Sequence, residues 1–276
     1  MKIGFIGTGS MGSILIEAFI ESGALDPEQI IAGNRSLDKV LRLADRFPGL
    51  RAAADNGQIA RLCKTIFICV KPHEYKHVIE DLAPWATPEK IVVSITSPVL
   101  IKHLEDLLPC KIAKVIPSIT NYALSGAALC MYSERMLPSD REWLESLFSK
   151  ISTPHHIEEQ HTRITSDLSS CGPAFLCFFA EQFVHAAVEI TGIEREEATR
   201  LVSDMMLGTA KLLTEKGFTP ASLQERVCVP GGITAEGILL MQSYLDGMFQ
   251  QLIHTTHAKY NSDLSKVESL FYGQKA

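Results

Sequence analysis

The 276-residue chain lacks the features that mark several protein classes. Its seven cysteines, Cys63, Cys69, Cys110, Cys130, Cys171, Cys177 and Cys228, contain no C-x-x-C pair. An odd, scattered set in a chain of this length reads as free buried thiols in a reducing cytoplasm, not as a disulfide framework or a zinc site. Cations are in the minority: 26 Lys and Arg against 32 Asp and Glu leave a formal charge of −6. No cluster of them marks a nucleic-acid or anionic-membrane surface, and neither partner is expected. No apolar stretch approaches the roughly 18 residues of a membrane span, so no span is expected. No leader pattern precedes the first strand. His73 and His77, spaced i, i+4, lack a third ligand nearby, and adjacent His155 and His156 lack one too; no metal is expected. What remains, 46% hydrophobic and 21% charged, is an ordinary globular composition. The length suits two domains of about 100–200 residues each.

The most informative segment is Gly7-Thr8-Gly9-Ser10-Met11-Gly12. It follows the apolar run Lys2-Ile3-Gly4-Phe5-Ile6 and opens a helical pattern, Ile14 through Ser22. Between strand and helix, a G-x-G-x-x-G spacing is a dinucleotide fingerprint. The first glycine turns the chain sharply and the second lets a pyrophosphate approach the backbone. The third packs the helix against the sheet, its N-terminal N–H groups facing the anion.

Strand and helix patterns then alternate. Gln29 to Gly33, Thr65 to Val70, Lys90 to Ile95 and Lys111 to Ile116 read as strands. Leu37–Phe47, His73–Leu82 and Val99–Leu107 read as helices. Continuous apolar strands separated by helices predict a parallel, doubly wound Rossmann-type sheet over residues 1–159, with ligands at the carboxyl ends of its strands. A further absence selects the cofactor. NAD-binding sheets usually carry Asp or Glu at the end of the second strand to bond the ribose 2′-hydroxyl. Here that position reads Gly33-Asn34-Arg35-Ser36, without a carboxylate. A planar cation flanked by hydrogen-bonding side chains suits a 2′-phosphate, which predicts NADPH.

From about Gln160 the strand signals stop, and residues 160–276 read as an all-helical second domain. Pro173 and Gly192 bracket a helix, Ala174 to Thr191, that is apolar nearly all round and spans roughly 27–30 Å at about 1.5 Å per residue. A second helix covers Glu194 to Lys216. Thr219-Pro220 starts a short third through Val227, and Pro230-Gly231-Gly232-Ile233-Thr234 leads into a last helical stretch, Ala235 to Lys259. Apolar faces of this size predict pairing with a second copy, a homodimer.

These blocks together resemble the pyrroline-5-carboxylate reductase family over essentially the full chain. The glycine loop is similar to its G-x-G-N-M-[AG], and Asn34-Arg35-Ser36 to its NADPH-reading strand end. Phe67 to Pro72 resembles its apolar strand ending in V-K-P. Ser170-Cys171-Gly172-Pro173-Ala174-Phe175 and Pro230 to Thr234 resemble its G-S-G-P-A-[YF] and P-G-G-x-T. The resemblance implies reduction of a cyclic imine, pyrroline-5-carboxylate, to proline. It implies cofactor contacts from the glycine loop and from Asn34, Arg35, Ser36, Asn56, Val70, Lys71, Pro72, Thr96 and Pro117. Lys71 is read as positioning the cofactor. The substrate carboxylate would bind Gly231, Gly232, Ile233 and Thr234 at a helix start, with Thr234 assisting near the imine nitrogen; on spacing alone, this segment reads equally as a loop with Thr234 as N-cap. An iminium carbon already accepts hydride, so orientation and anion anchoring do most of the work. The resemblance also implies an active site between the two domains, near a dimer interface.

Departures cluster on the substrate side. The family's S-I-A-A-G-V reads Ser94-Ile95-Thr96-Ser97-Pro98-Val99, where Pro98 fixes φ and removes a donor. Its R-[VC]-M-P-N-T-P reads Lys114 to Thr120, keeping Pro117 from the distinctive core. Cys171 and Val229 stand where serine is usual. This pattern resembles a diverged branch of the family, the late competence protein ComER branch, and opens a second reading: a dinucleotide-binding protein with an accessory role and little catalysis. A β-hydroxyacid dehydrogenase is disfavoured, because no lysine or histidine stands one turn after Gly172 to donate a proton.

Overall fold

The computed structural model describes residues 1–273. Short runs of branched and aromatic residues become strands, and polar-faced segments between them become helices. The order is β1 (Ile3–Ile6), α1 (Ser10–Glu21), β2 (Ile30–Gly33), α2 (Leu37–Arg46), β3 (Arg51–Ala52), α3 (Asn56–Leu62), β4 (Thr65–Ile68), α4 (Tyr75–Leu82), β5 (Ile91–Ser94), α5 (Ile101–Glu105), β6 (Lys111–Ile116), β7 (Ala127–Tyr132), α6 (Pro138–Phe148), β8 (Thr153–His156) and α7 (Thr162–Ser166). A π-helical turn, Asp167–Cys171, leads into α8 (Gly172–Thr191). Then come α9 (Arg195–Glu215), α10 (Pro220–Val227), α11 (Ile233–Leu245) and α12 (Met248–Tyr272).

The strands form one sheet in the order β3-β2-β1-β4-β5-β6-β7-β8. All neighbours are parallel except β6 and β7. The connection from Ile116 to Ala127 is too short for a crossover, which needs about a dozen residues or more, so the chain turns back antiparallel. The sheet is therefore doubly wound and mostly parallel, as expected, with one reversed step. Its topological switch lies between β1 and β4, where the chain leaves for β2 and β3 and then returns.

Helices cover both faces of the sheet. On one, Phe5 and Phe67 stack at 4.8 Å between centroids, and Phe19 of α1 meets Phe148 of α6 edge-on at 5.3 Å. On the other, Ile66, Ile68 and Val92 pack with Ile59 of α3, Val78 of α4, and Val267 and Phe271 of α12.

By packing, the chain divides into residues 1–173 with 255 onward, and residues 174–254. The boundary expected at 159/160 falls elsewhere because α7 and the π-turn pack with the sheet, and the end of α12 returns to it. The last helical stretch is also two helices, not one over 235–259. Gly247, at φ +73°, breaks it in a left-handed conformation that suits glycine.

In the second unit α8 buries only Val184. Phe178, Phe183 and Ile190 are 62%, 66% and 81% exposed. The continuous helical stretch Glu159–Thr191 reaches the length and hydropathy of a membrane span, which corrects the expectation that no stretch would. α8 by itself, 20 residues long and mostly apolar, supplies that length. Glu181, Gln182, His185 and Glu189 recur on it at near i, i+4 spacing and make a polar stripe, the pattern of a helix half covered by protein.

Candidate functional site in the nucleotide cleft

Each glycine of the loop has a distinct physical role. Gly7 sits at φ +98°, and a Cβ there would stand 2.6 Å from the carbonyl oxygen of Cys69. A Cβ at Gly12 would lie 2.0 Å from the carbonyl oxygen of Gly7, so the close seat of α1 requires a bare backbone. A Cβ at Gly9 would meet nothing within 4 Å. That open space, at the N-cap of an α1 that no side chain caps and whose first turn holds no acid, is where a phosphate can reach the helix N-terminus.

The loop borders a cleft of about 730 Å³ at the β1/β4 switch. Gly7, Gly9, Asn34, Arg35, Ser36, Asn56, Val70 and Lys71 line it, so eight of the residues expected to hold the cofactor converge there. Asn34 is held by its neighbours: its Oδ1 accepts the Thr8 N–H at 3.3 Å and its Nδ2 donates to the Ser36 carbonyl at 3.1 Å. Asn56 opens α3 and donates to Asp81 at 2.9 Å. Arg35 projects from the end of β2, 91% exposed, and pairs with Glu74 at 3.3 Å. Glu74 also accepts the Lys71 N–H at 3.2 Å, fixing the 3₁₀ turn that Pro72 starts.

Thr8 and Ser10 line a neighbouring groove of about 420 Å³. Met11, Gly12, Pro72, Thr96 and Pro117 line neither. Gly12 and Pro72 shape the backbone. Thr96 donates its hydroxyl to the Val70 carbonyl at 3.1 Å, tying the ends of β4 and β5 together. Pro117 is buried after β6. Volume, open backbone and cations all fit a dinucleotide.

Sequence reasoning missed Lys39, which lines both the cleft and the groove from the first turns of α2, and Glu74, the partner of Arg35. An N-R-S-x-x-K spacing was the available signal for Lys39. His73 and His77 line the cleft, and His77 faces Asp81 at 3.7 Å. Among the described residues, no group of three His, Cys, Asp or Glu is placed to hold a metal.

The segment after Lys114 is held inward. Ser118 donates its hydroxyl to the Ser169 carbonyl at 3.3 Å and accepts from the Thr120 hydroxyl at 2.9 Å. Asn121 accepts the Ser118 N–H at 2.8 Å. Lys114 itself is fully buried, with Nζ 3.0 Å from Glu159. Burial lowers its pKa while Glu159 opposes the shift.

In the second unit, Gly231 adopts φ +71° and Gly232 is the N-cap of α11. A Cβ at Gly232 would approach Val229 Cγ2 at 2.8 Å. Ile233 is 93% exposed, and Thr234, also exposed, lies in the first turn rather than at the cap. No side chain caps this helix, but the Gly232 N–H donates to the Val229 carbonyl at 2.9 Å, so an anion there would have to be met by the neighbouring N–H groups.

Residues 159–262 match the family described as pyrroline-5-carboxylate reductase dimerisation, and residues 2–98 match NADP oxidoreductase, coenzyme F420-dependent. The ComE operon protein 4 of Bacillus subtilis is 40% identical, covering 99% of this chain and 100% of that protein. A pyrroline-5-carboxylate reductase of Methanosarcina acetivorans is 32% identical over 86% of this chain and 88% of its own. A solved pyrroline-5-carboxylate reductase from Coxiella burnetii is 26% identical, covers 98% of each chain and superposes with a TM-score of 0.82.

Proposed function

Because the chain belongs to the pyrroline-5-carboxylate reductase family, we propose that it reduces the cyclic imine 1-pyrroline-5-carboxylate to proline with NADPH. What carries this reading is that the likeness spans both units: the glycine cleft of the first and the Pro230 to Thr234 segment of the second.

When bound, the cofactor supplies a hydride to the imine carbon; the ring nitrogen keeps the proton that makes it an amine. The chain's own residues bind and orient. Gly9 and the α1 N-terminus receive the pyrophosphate, while Asn34, Arg35 and Ser36 take the phosphorylated ribose and Asn56 and Lys71 border it. Thr8, Ser10, Met11, Gly12, Val70, Pro72, Thr96 and Pro117 contribute through the backbone they shape. The substrate carboxylate is assigned to the N–H groups of Gly231 and Ile233, with Thr234 donating its hydroxyl and Gly232, whose N–H donates to the Val229 carbonyl, shaping the turn. The protonated imine is already electrophilic, so no strong base is required.

Large exposed apolar side chains on α8, α9 and α11 support a homodimer through the second unit, in keeping with the dimerisation family matched there. The seven cysteines are unpaired, which suits a reducing cytoplasm. Only Cys63, Cys110 and Cys130 are buried and Cys177 is exposed, so the expected burial of all of them does not hold.

One observation favours a second reading. The Ser118 and Thr120 side chains, which replace family residues, bond to each other, and Ser118 also to the Ser169 carbonyl. An accessory dinucleotide-binding protein, like the ComE operon relative in sequence, fits that loop as well. Steady-state NADPH oxidation with pyrroline-5-carboxylate separates the two. Turnover abolished by Thr234→Val supports the reductase. NADPH binding with turnover at background overturns it in favour of the accessory role.

A further inference from the structure

The π-turn Asp167–Cys171 gathers a polar cluster that neither the nucleotide cleft nor the Pro230 to Thr234 segment uses, and all of it lies within the first unit. Arg163 of α7 reaches along the helix with one terminal nitrogen, Nη2, which stands 2.8 Å from Asp167 Oδ1 and 3.0 Å from Cys171 Sγ. Asp167, 7% exposed, is also engaged from α12: its Oδ2 accepts the Thr256 hydroxyl at 2.7 Å and faces His257 Nε2 at 3.8 Å. The carboxylate thus has partners besides Arg163, and the guanidinium keeps a donor for the sulfur. Among the described residues, Cys171 is the cysteine whose sulfur accepts a hydrogen bond from a cation.

Two further atoms of the cluster are idle. Arg163 Nε and Ser166 Oγ are buried without a hydrogen-bond partner, and Ser166 is 1% exposed. Such groups are costly to leave unmatched. Their placement follows from the helix. Ser166 stands three residues after Arg163, on the same face. A π-turn closes from i to i+5, which brings Cys171 over Ser166, five residues before it. An oxygen added to the Cys171 sulfur therefore sits among donors that the bare thiol leaves unused.

Access and competition single out the same thiol. Cys171 is half-buried, so a small solute reaches it. Burial raises the pKa of Cys63, Cys69, Cys110 and Cys130, which keeps those thiols protonated at neutral pH. Cys177 and Cys228 remain as competitors. We propose that Cys171 is an oxidation site, converted by a hydroperoxide to a sulfenic acid that Arg163 and Ser166 hold. The sulfur attacks one peroxide oxygen: an S–O bond forms, the O–O bond breaks, and the thiol proton leaves with the second oxygen, as water when the oxidant is hydrogen peroxide. Sulfur gives up two electrons and the peroxide gains them. Cys177 stands six positions further along α8, about 9 Å at about 1.5 Å per residue, beyond the roughly 7 Å between Cα atoms that a disulfide spans. The product therefore stays a sulfenic acid and does not close a bridge to Cys177.

The inference stands apart from the nucleotide reading, and NADPH affinity of the untreated sample reports on that reading separately. The full chain is exposed to hydrogen peroxide and then to dimedone, which traps sulfenic acids, and the label on each cysteine is quantified by peptide mass spectrometry. Cys171 is expected to be labelled about tenfold faster than Cys177 or Cys228. Arg163→Gln should bring it down to their rate, and Ser166→Ala should lower the trapped fraction about threefold. Thermal melts check that each variant folds. Ser166→Ala removes a group that has no partner, so it retains the fold and decides the matter if Arg163→Gln does not. Cys177 labelled as fast as Cys171, or labelling at Cys171 unmoved in a folded variant, overturns the inference.

Discussion

A methyl group at position 12 would stand 2.0 Å from the Gly7 carbonyl oxygen, whereas one at position 9 would touch nothing. The two substitutions should therefore separate folding from binding. Gly12→Ala is expected to lower stability by about 2 kcal/mol or more in urea unfolding, since neither the loop nor α1 can give way without moving β1. Gly9→Ala is expected to fold and to lose NADPH affinity by about tenfold or more, measured by calorimetry, because its methyl occupies the phosphate's approach. The glycine roles were legible in the sequence because spacing between a strand and a helix fixes them. The importance of Glu74 was not, and that of Lys39 was signalled by no more than its spacing after Asn34-Arg35-Ser36. Which charges face a cleft depends on the rotational phase of α2 and on the 3₁₀ turn after Lys71. Thr234, by contrast, was legible as a helix-start residue but not as lying inside the first turn, a displacement of two positions set by Gly232.

At the scale of elements, β1, β2, β4, β5 and β6, mostly apolar although β6 carries Lys111 and Lys114, could be read directly, whereas the apolar β7 was missed. β3 has two residues and β8 reads Thr-Pro-His-His, so neither carries an apolar signature; both are strands because a neighbour supplies the ladder. The division of the chain was hidden for a similar reason, since only packing reveals that α12 returns to the sheet. That return has a titratable seat. His103 of α5 is 2% exposed and lies 5.0 Å from the Phe271 ring and 5.6 Å from Tyr272. Its Nδ1 accepts the Leu100 N–H at 3.1 Å. Burial holds its pKa below the ordinary 6.5, against the raising influence of Glu268 and Glu159. The unfolded chain therefore takes up the proton first, and stability must fall as pH drops below about 6.5 towards the lowered folded value. Urea midpoints between about pH 7.5 and 5 should show this decline, and His103→Gln should flatten it. An unchanged slope in the variant would remove His103 from the account.

For the whole molecule, the second unit leaves Phe183 and Ile190 at 66% and 81% exposed on a helix that also carries a polar stripe. A face of that kind needs a cover, and a second copy is the cover the account supplies. Light scattering at micromolar concentration should give the mass of a dimer, and Phe183→Glu with Ile190→Glu should shift it to the monomer while the first unit still binds NADPH. A wild-type chain of monomer mass would contradict the pairing. The apolar helix was evident in the sequence; its span-like length was understated there, although α8 alone has 20 residues. The central claim, hydride transfer from NADPH to a carboxylate-bearing imine, is tested most directly by isotope tracing. The chain is incubated with pyrroline-5-carboxylate and NADPH deuterated at the nicotinamide C4, and the product is weighed by mass spectrometry. The account predicts proline carrying deuterium on the former imine carbon, formed at a rate proportional to enzyme. Proline absent above the enzyme-free control, with the labelled nucleotide bound but unoxidised, would contradict it.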